Sequence, residues 1–209
     1  MDPHVLKIYQ VETLTQCRFA VAAFDQLLAA VAKIQSAVQA RDMRAAKSAS
    51  QETFRTIHSF LTHTSNVSKL VWPAAPRRQK NEARSDWKKR CAASPQLQRG
   101  LSLRRSLKVP SSVEALRSRK LRDHLEHFDE RLDEWEANSK AHNYVQDTVG
   151  PPDAIVGIDP QDIMRWYDPG TRKMHFRGET FDLNSLADAA HALESAVLAA
   201  LPKEFAPYI

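Results

Sequence analysis

The chain has 209 residues, a net charge of +5, and five glycines set against an abundance of Ala, Leu, Glu, Arg and Gln. That length buries one full core, and so little glycine leaves scant material for a sheet-rich fold; a mainly α, single domain over 1–209 is expected. Two cysteines, Cys17 and Cys91, exclude a disulfide framework or a zinc knuckle, and the sequence has no glycine-rich phosphate loop for ATP or a dinucleotide.

Met1-Asp2-Pro3-His4 lacks the basic stretch of a signal peptide, and the apolar runs 19–24 and 27–32 are separated by Asp25 and Gln26. A cytoplasmic protein with reduced thiols and no membrane span is the expectation. Apolar residues at helical spacing (Val11, Leu14, Val21, Leu28, Val31) predict a first helix over 11–40. Residues 5–9 suit either a short strand or a frayed helix start. Asp42 is an N-cap for a second helix over 43–72, whose stripe reads Ala46, Ala49, Thr53, Ile57, Phe60, Leu61, Thr64, Val67, Val71 and stops at Pro73.

The segment 73–110 reads as a basic insertion. Between Arg77 and Lys108 lie eleven Lys or Arg against two acids, a local charge of +9, so the remainder of the chain carries −4. Such a block suggests a polyanionic partner, with RNA or DNA the commonest choice, and its candidate contacts are Arg77, Arg78, Lys80, Trp87, Lys88, Lys89, Arg90, Arg104 and Arg105. A solvated surface loop accounts for the charge equally well. Trp87 lies beside Lys88, Lys89 and Arg90, where stacking on an unpaired base is physically sensible, whereas Trp72, Trp135 and Trp166 read as core residues. Two short helices are predicted, over 81–91 and 97–107.

Ser111 and Glu114 have the spacing of a capping box, opening a third helix that runs to about residue 140 with a core stripe of Leu116, Leu121, Leu125, Phe128, Leu132 and Trp135. Gly150-Pro151-Pro152 breaks the chain. Residues 163–168 and 173–176 flank Pro169-Gly170 as a β-hairpin, with a third short strand at 179–183, so 160–183 reads as a second insertion. Asn184 caps a last helix with the stripe Leu186, Ala190, Leu193, Val197, Leu201, ended by Pro202. The sum is an antiparallel four-helix bundle with a basic insertion and a small β-hairpin before the last helix.

The third helix carries Arg122-Asp123-His124-Leu125-Glu126-His127. A guanidinium that clamps phosphate stands beside rings that titrate near neutrality, a toolkit for opening a phosphodiester. In a straight helix Asp123 and His127 share a face, while Arg122 and His127 lie roughly 140° apart and flank a groove. His124 competes with His127 for either role, and His58 or His63 on the second helix can approach the motif. The bland alternative is an intrahelical surface pair of Arg122 with Glu126.

Arg122, Asp123 and His127, in that order on the third helix of a small bundle, resemble the signature of the HEPN superfamily, Arg and His separated by four to six residues with Asn, Asp or His following the Arg. The resemblance covers helices one to three and the last. It implies a metal-independent endoribonuclease, of the kind found among toxins and anti-phage effectors, with two motifs meeting across a homodimer through the third helix. It assigns His127 as general acid or base for attack of the ribose 2′-OH, Arg122 as the stabiliser of transition-state charge, and Asp123 as the orienting group. No metal and no cofactor are expected, and an antitoxin or regulatory partner is implied. A catalytically silent module that binds nucleic acid or protein, and a purely structural helical protein, are the competing readings.

Overall fold

The structure, a computed structural model, describes residues 1–202. It is mainly helical, with a four-stranded sheet ahead of the last helix. In chain order the helices are α1 (Pro3–Gln39), α2 (Met43–Val71), α3 (Arg84–Ala92), α4 (Pro95–Ser106), α5 (Lys120–Glu126), α6 (Phe128–Asn138) and α7 (Leu183–Ala200). The strands are β1 (Thr148–Val149), β2 (Trp166–Asp168), β3 (Lys173–Phe176) and β4 (Glu179–Asp182). No described helix is long and apolar enough to cross a membrane. The residues group into two compact units, one of Met1–Phe19, His63–Ser118 and the stretch from Asp188, the other of Ala20–Thr62 and Arg119–Ala187.

In the first unit α1 starts at Pro3 rather than at residue 11, because the Asp2 carboxylate caps it, accepting from the backbone N–H groups of His4 at 2.8 Å and Val5 at 3.1 Å. The open choice at 5–9 resolves to helix. Leu14 and Cys17 are buried, and burial pushes the Cys17 thiol up to about 12, so it packs as a small apolar group. The basic segment folds into α3 and α4. Arg99 and Arg104 of α4 donate to the carbonyls of Lys69 and Val71 in the last turn of α2, supplying cations where the helix dipole is negative. Gly100 makes that approach possible: a Cβ there would lie 2.5 Å from Pro73 Cδ and 2.9 Å from the Val71 carbonyl oxygen.

In the second unit Asp42 caps α2 as expected, accepting from the Ala45 N–H at 2.9 Å. The Phe24 and Phe60 rings meet with centroids 5.3 Å apart. All nine residues of the expected α2 stripe are buried, and α2 runs unbroken. On α1 the buried line is Leu14, Cys17, Ala20, Ala23, Phe24, Leu27, Ala30 and Ala37. Of the expected stripe only Leu14 belongs to it; Val11, Val21, Leu28 and Val31 flank it half-buried, because small side chains rather than bulky ones line its centre.

The sheet has the order β1-β2-β3-β4, with β1 parallel to β2 and the other pairs antiparallel. The expected hairpin is β2–β3, the expected third strand is β4, and β1 has no counterpart among the sequence expectations. Asp168 shapes the β2–β3 turn by accepting from the Gly170 N–H and the Thr171 hydroxyl. Arg177 and Gly178 carry the β3–β4 turn at φ of +46° and +77°. Asp182, not Asn184, caps α7, accepting from the Ser185 N–H at 2.9 Å, while the Asn184 side chain accepts from Arg172.

The single third helix is corrected to three pieces. Ser111–Arg117 is a 3-10 turn without the expected capping box, since Glu114 pairs with Arg117 at 2.9 Å. The helix then breaks before α5 and again at His127, whose ψ of 40° separates α5 from α6. The bend suits packing on β3: His124 stacks on Phe176 with centroids 5.2 Å apart, and Phe128 meets the same ring edge-on at 6.4 Å. Leu116 and Leu121 are buried, but Leu125, Phe128, Leu132 and Trp135 reach only half-burial.

Candidate functional site

The Arg122 to His127 motif lies across a helix break rather than along one face. Arg122 Nη1 forms an ion pair with Glu126 and stands 4.0 Å from Asp123 Oδ1, its side chain 17% exposed. The intrahelical pair of the bland reading is therefore the one that forms. Asp123 offers His127 its backbone carbonyl, which accepts the His127 N–H at 3.1 Å. The expected carboxylate-to-ring contact is replaced by one to Glu130, 3.1 Å from His127 Nδ1 on an exposed surface. His124 lies 3.4 Å from the Glu179 carboxylate, which also binds Lys120 at 2.6 Å. Burial draws its pKa down, opposed by Glu179. It acts as a clamp of α5 on the sheet.

His58 is the histidine that approaches Arg122. Partial burial, then the charges of Arg122 and Arg165, hold its pKa below the usual value although the residue is solvent-exposed. Arg165 is itself matched, 2.8 Å from Asp147, with its guanidinium 4.8 Å from the Phe128 ring centroid. Both arginines near His58 thus have a carboxylate partner, so an anion entering here must displace one.

These histidines set an acid response. His58, His124 and His175 have pKa values lowered chiefly by burial, so on acidification the unfolded chain takes up protons that the folded chain refuses. Stability is expected to be full above about pH 6.5 and to fall below it, with a second loss below about pH 4.5 as carboxylates held low by partners, Glu179 and Asp182 among them, protonate. Asp147, raised by burial, works in the opposite direction. Melting temperature against pH checks this; His124→Gln should shrink the first step, and a flat curve between pH 7.5 and 5 contradicts it.

In the basic segment the structure sorts the nine expected contacts into two groups. Arg90 binds Glu82 through two hydrogen bonds of 2.9 and 2.8 Å and also the Arg77 carbonyl, and this contact holds the Glu82 carboxyl down at about 2. Arg78 donates to the Glu82 carbonyl at 2.9 Å. The Trp87 indole N–H donates to the Pro76 carbonyl at 2.8 Å, and its ring is half-buried, which makes it a loop anchor. Arg104 is occupied at the end of α2. Lys89 stands 3.5 Å from Asp86. Arg77, Lys80, Lys88 and Arg105 are exposed and have no acidic partner among the described residues, and Arg84 and Lys108 join them.

A polar cluster in the first unit has no counterpart among the sequence expectations. Gln16 accepts through Oε1 from His63 Nδ1 at 2.9 Å and Asn66 Nδ2 at 3.2 Å, and donates through Nε2 to Glu12 at 2.7 Å. Only its spacing, Glu12 to Gln16 and His63 to Asn66 on two helices, signals it in the sequence. Among the described residues no group of three or more His, Cys, Asp or Glu is placed to hold a metal ion. No match was found to any family model, curated protein or solved structure.

Proposed function

We propose that this protein binds nucleic acid, with RNA the preferred partner, through the free cations of its basic segment. One observation carries the reading: Arg77, Lys80, Arg84, Lys88, Arg105 and Lys108 are exposed without acidic partners among the described residues, while the Glu82–Arg90 contact and the Trp87 anchor hold the 76–90 stretch that bears the first four. Ordered cations on a fixed loop suit a regular line of phosphates, and binding then releases condensed counterions. The test is a titration of labelled single-stranded RNA at several salt concentrations. Six phosphate contacts would make log K fall by about 4 per tenfold rise in salt; affinity independent of salt would sink the reading.

A second reading keeps the HEPN resemblance: an antiparallel four-helix bundle that dimerises through α5–α6, resides in the cytoplasm, is restrained by a partner protein, and cleaves RNA. What favours it is His58, a ring placed in the field of Arg122 and Arg165. Cleavage would require Arg122 to exchange Glu126 for phosphate, while a histidine removes the proton of the 2′-OH; the oxygen then attacks phosphorus, the 5′-oxygen leaves with a proton, and a 2′,3′-cyclic phosphate remains. RNA incubated in EDTA with wild type, Arg122→Ala, His127→Ala and His58→Ala decides it. Cleavage by wild type and loss in Arg122→Ala support the nuclease. Intact RNA with wild type leaves binding alone.

A further inference from the structure

Helix α1 presents Tyr9, Glu12, Gln16 and Phe19 at spacings of three, four and three, which places them on one face; α2 presents His63, Asn66 and Leu70 at spacings of three and four, with Lys69 flanking them. Within the first unit these residues and Arg99 surround a cleft of about 220 Å³, lined by Glu12, Gln16, Asn66, Lys69, Leu70 and Arg99. That is below the roughly 300–1,000 Å³ of a drug-sized pocket and suits a single planar ring system. The hydrogen-bonded chain Glu12–Gln16–Asn66, with His63 as its branch, leaves the Asn66 side-chain Oδ1 and one Nδ2–H without a partner among the described residues. At one end Phe19 is 51% exposed, its ring backed edge-on by His63 at 5.1 Å. At the other, the Arg99 guanidinium lies 5.3 Å from the Tyr9 ring centroid, and its Nε is buried without a hydrogen-bond partner.

We propose that this face receives an unpaired base of a single-stranded nucleic acid, stacked on Phe19 and hydrogen-bonded at its edge by Asn66. The inference rests on the nucleic-acid reading above and specifies its substrate. A half-exposed ring and, on the same pair of helix faces, an amide edge with an unused donor and acceptor are the two contacts that a splayed-out base satisfies together. A duplex keeps its bases paired and stacked, so it offers only phosphates to this surface. Phe19 thus takes the role that the sequence suggested for Trp87, whose indole is committed to the loop.

The test is fluorescence anisotropy with a short labelled single strand and its duplex, using wild type, Phe19→Ala, Phe19→Trp and Asn66→Ala. Phe19→Ala is expected to weaken single-strand binding roughly 5- to 150-fold, the span of one base–aromatic stack, and to leave duplex binding unchanged. Phe19→Trp should retain affinity, and Asn66→Ala should lose several-fold on the single strand alone. Unchanged binding by Phe19→Ala, an equal loss on both ligands, or a Phe19→Trp as weak as Phe19→Ala would overturn the inference while the salt-dependent reading stands. A wild type that binds neither ligand at low salt removes both.

Discussion

Replacing Trp166 with alanine is expected to lower the unfolding free energy by about 4 kcal/mol, within the range of ~3–5 kcal/mol for deleting a large buried aromatic side chain. Trp166 is 1% exposed and sits in β2 between Thr148 of β1 and His175 of β3. Its indole N–H donates to the Gly150 carbonyl at 2.8 Å, across the Gly-Pro-Pro corner that follows β1. Alanine therefore empties the volume of an indole and also removes the donor for a carbonyl at that corner. Trp166→Phe separates the two losses, since it keeps most of the ring and should cost about 1–2 kcal/mol for the missing bond and the smaller volume. Urea unfolding followed by circular dichroism measures both. A loss under about 1 kcal/mol for the alanine variant would mean that the sheet does not depend on this ring.

How much of this was readable beforehand differs by element. Helix α2 was legible because three independent signals agree: the Asp42 cap, an uninterrupted apolar period and Pro73 beyond its end. Helix α1 had an equally plain start in Asp2-Pro3, a capping carboxylate before a first-turn proline, but the β-branched and aromatic residues at 5–9, Val5, Ile8 and Tyr9, suit a strand as well and obscured it. Its buried line was hidden because alanines and Cys17 compose it, and these weigh little in an apolar count against valines. The break at His127 has no Gly or Pro to announce it; it follows from seating His124 and Phe128 on the same Phe176 ring, a partner distant in the sequence. Strand β1 is two residues long and pairs in parallel with β2, too short for any period to show.

For the candidate sites, the types and numbers of residues were legible and their partners were not. The i to i+4 pair of Arg122 with Glu126 is a local contact that spacing alone foretells. That Arg99 and Arg104 are taken up by the end of α2 depends on Gly100 admitting α4 against Pro73, a tertiary fact. The charge of the basic segment therefore exceeds what it offers a ligand. Arg78, Arg90 and Arg104 are tied to backbone or acid, whereas Lys80 and Lys88 face solvent without an acidic partner among the described residues.

That sorting yields the second large effect. The variant combining Arg77→Gln, Lys80→Gln, Lys88→Gln and Arg105→Gln is expected to bind single-stranded RNA roughly 10²–10³-fold more weakly near 0.1 M salt, because each phosphate contact on a single strand contributes about 0.7 to the salt slope. The slope itself should fall by about 3, which distinguishes lost phosphate contacts from a general loss of affinity. Its thermal stability should match wild type, since none of the four side chains has an acidic partner among the described residues. Arg90→Gln is the opposing control: it removes the partner that holds Glu82, so it should loosen the 77–90 loop while removing no free cation. Should the fourfold variant keep its slope and Arg90→Gln lose affinity as strongly, the contacts would belong to the staple residues and not to the free ones. If the slope falls as stated, the Phe19 and Asn66 variants can be read against it, because their losses should leave the salt dependence intact.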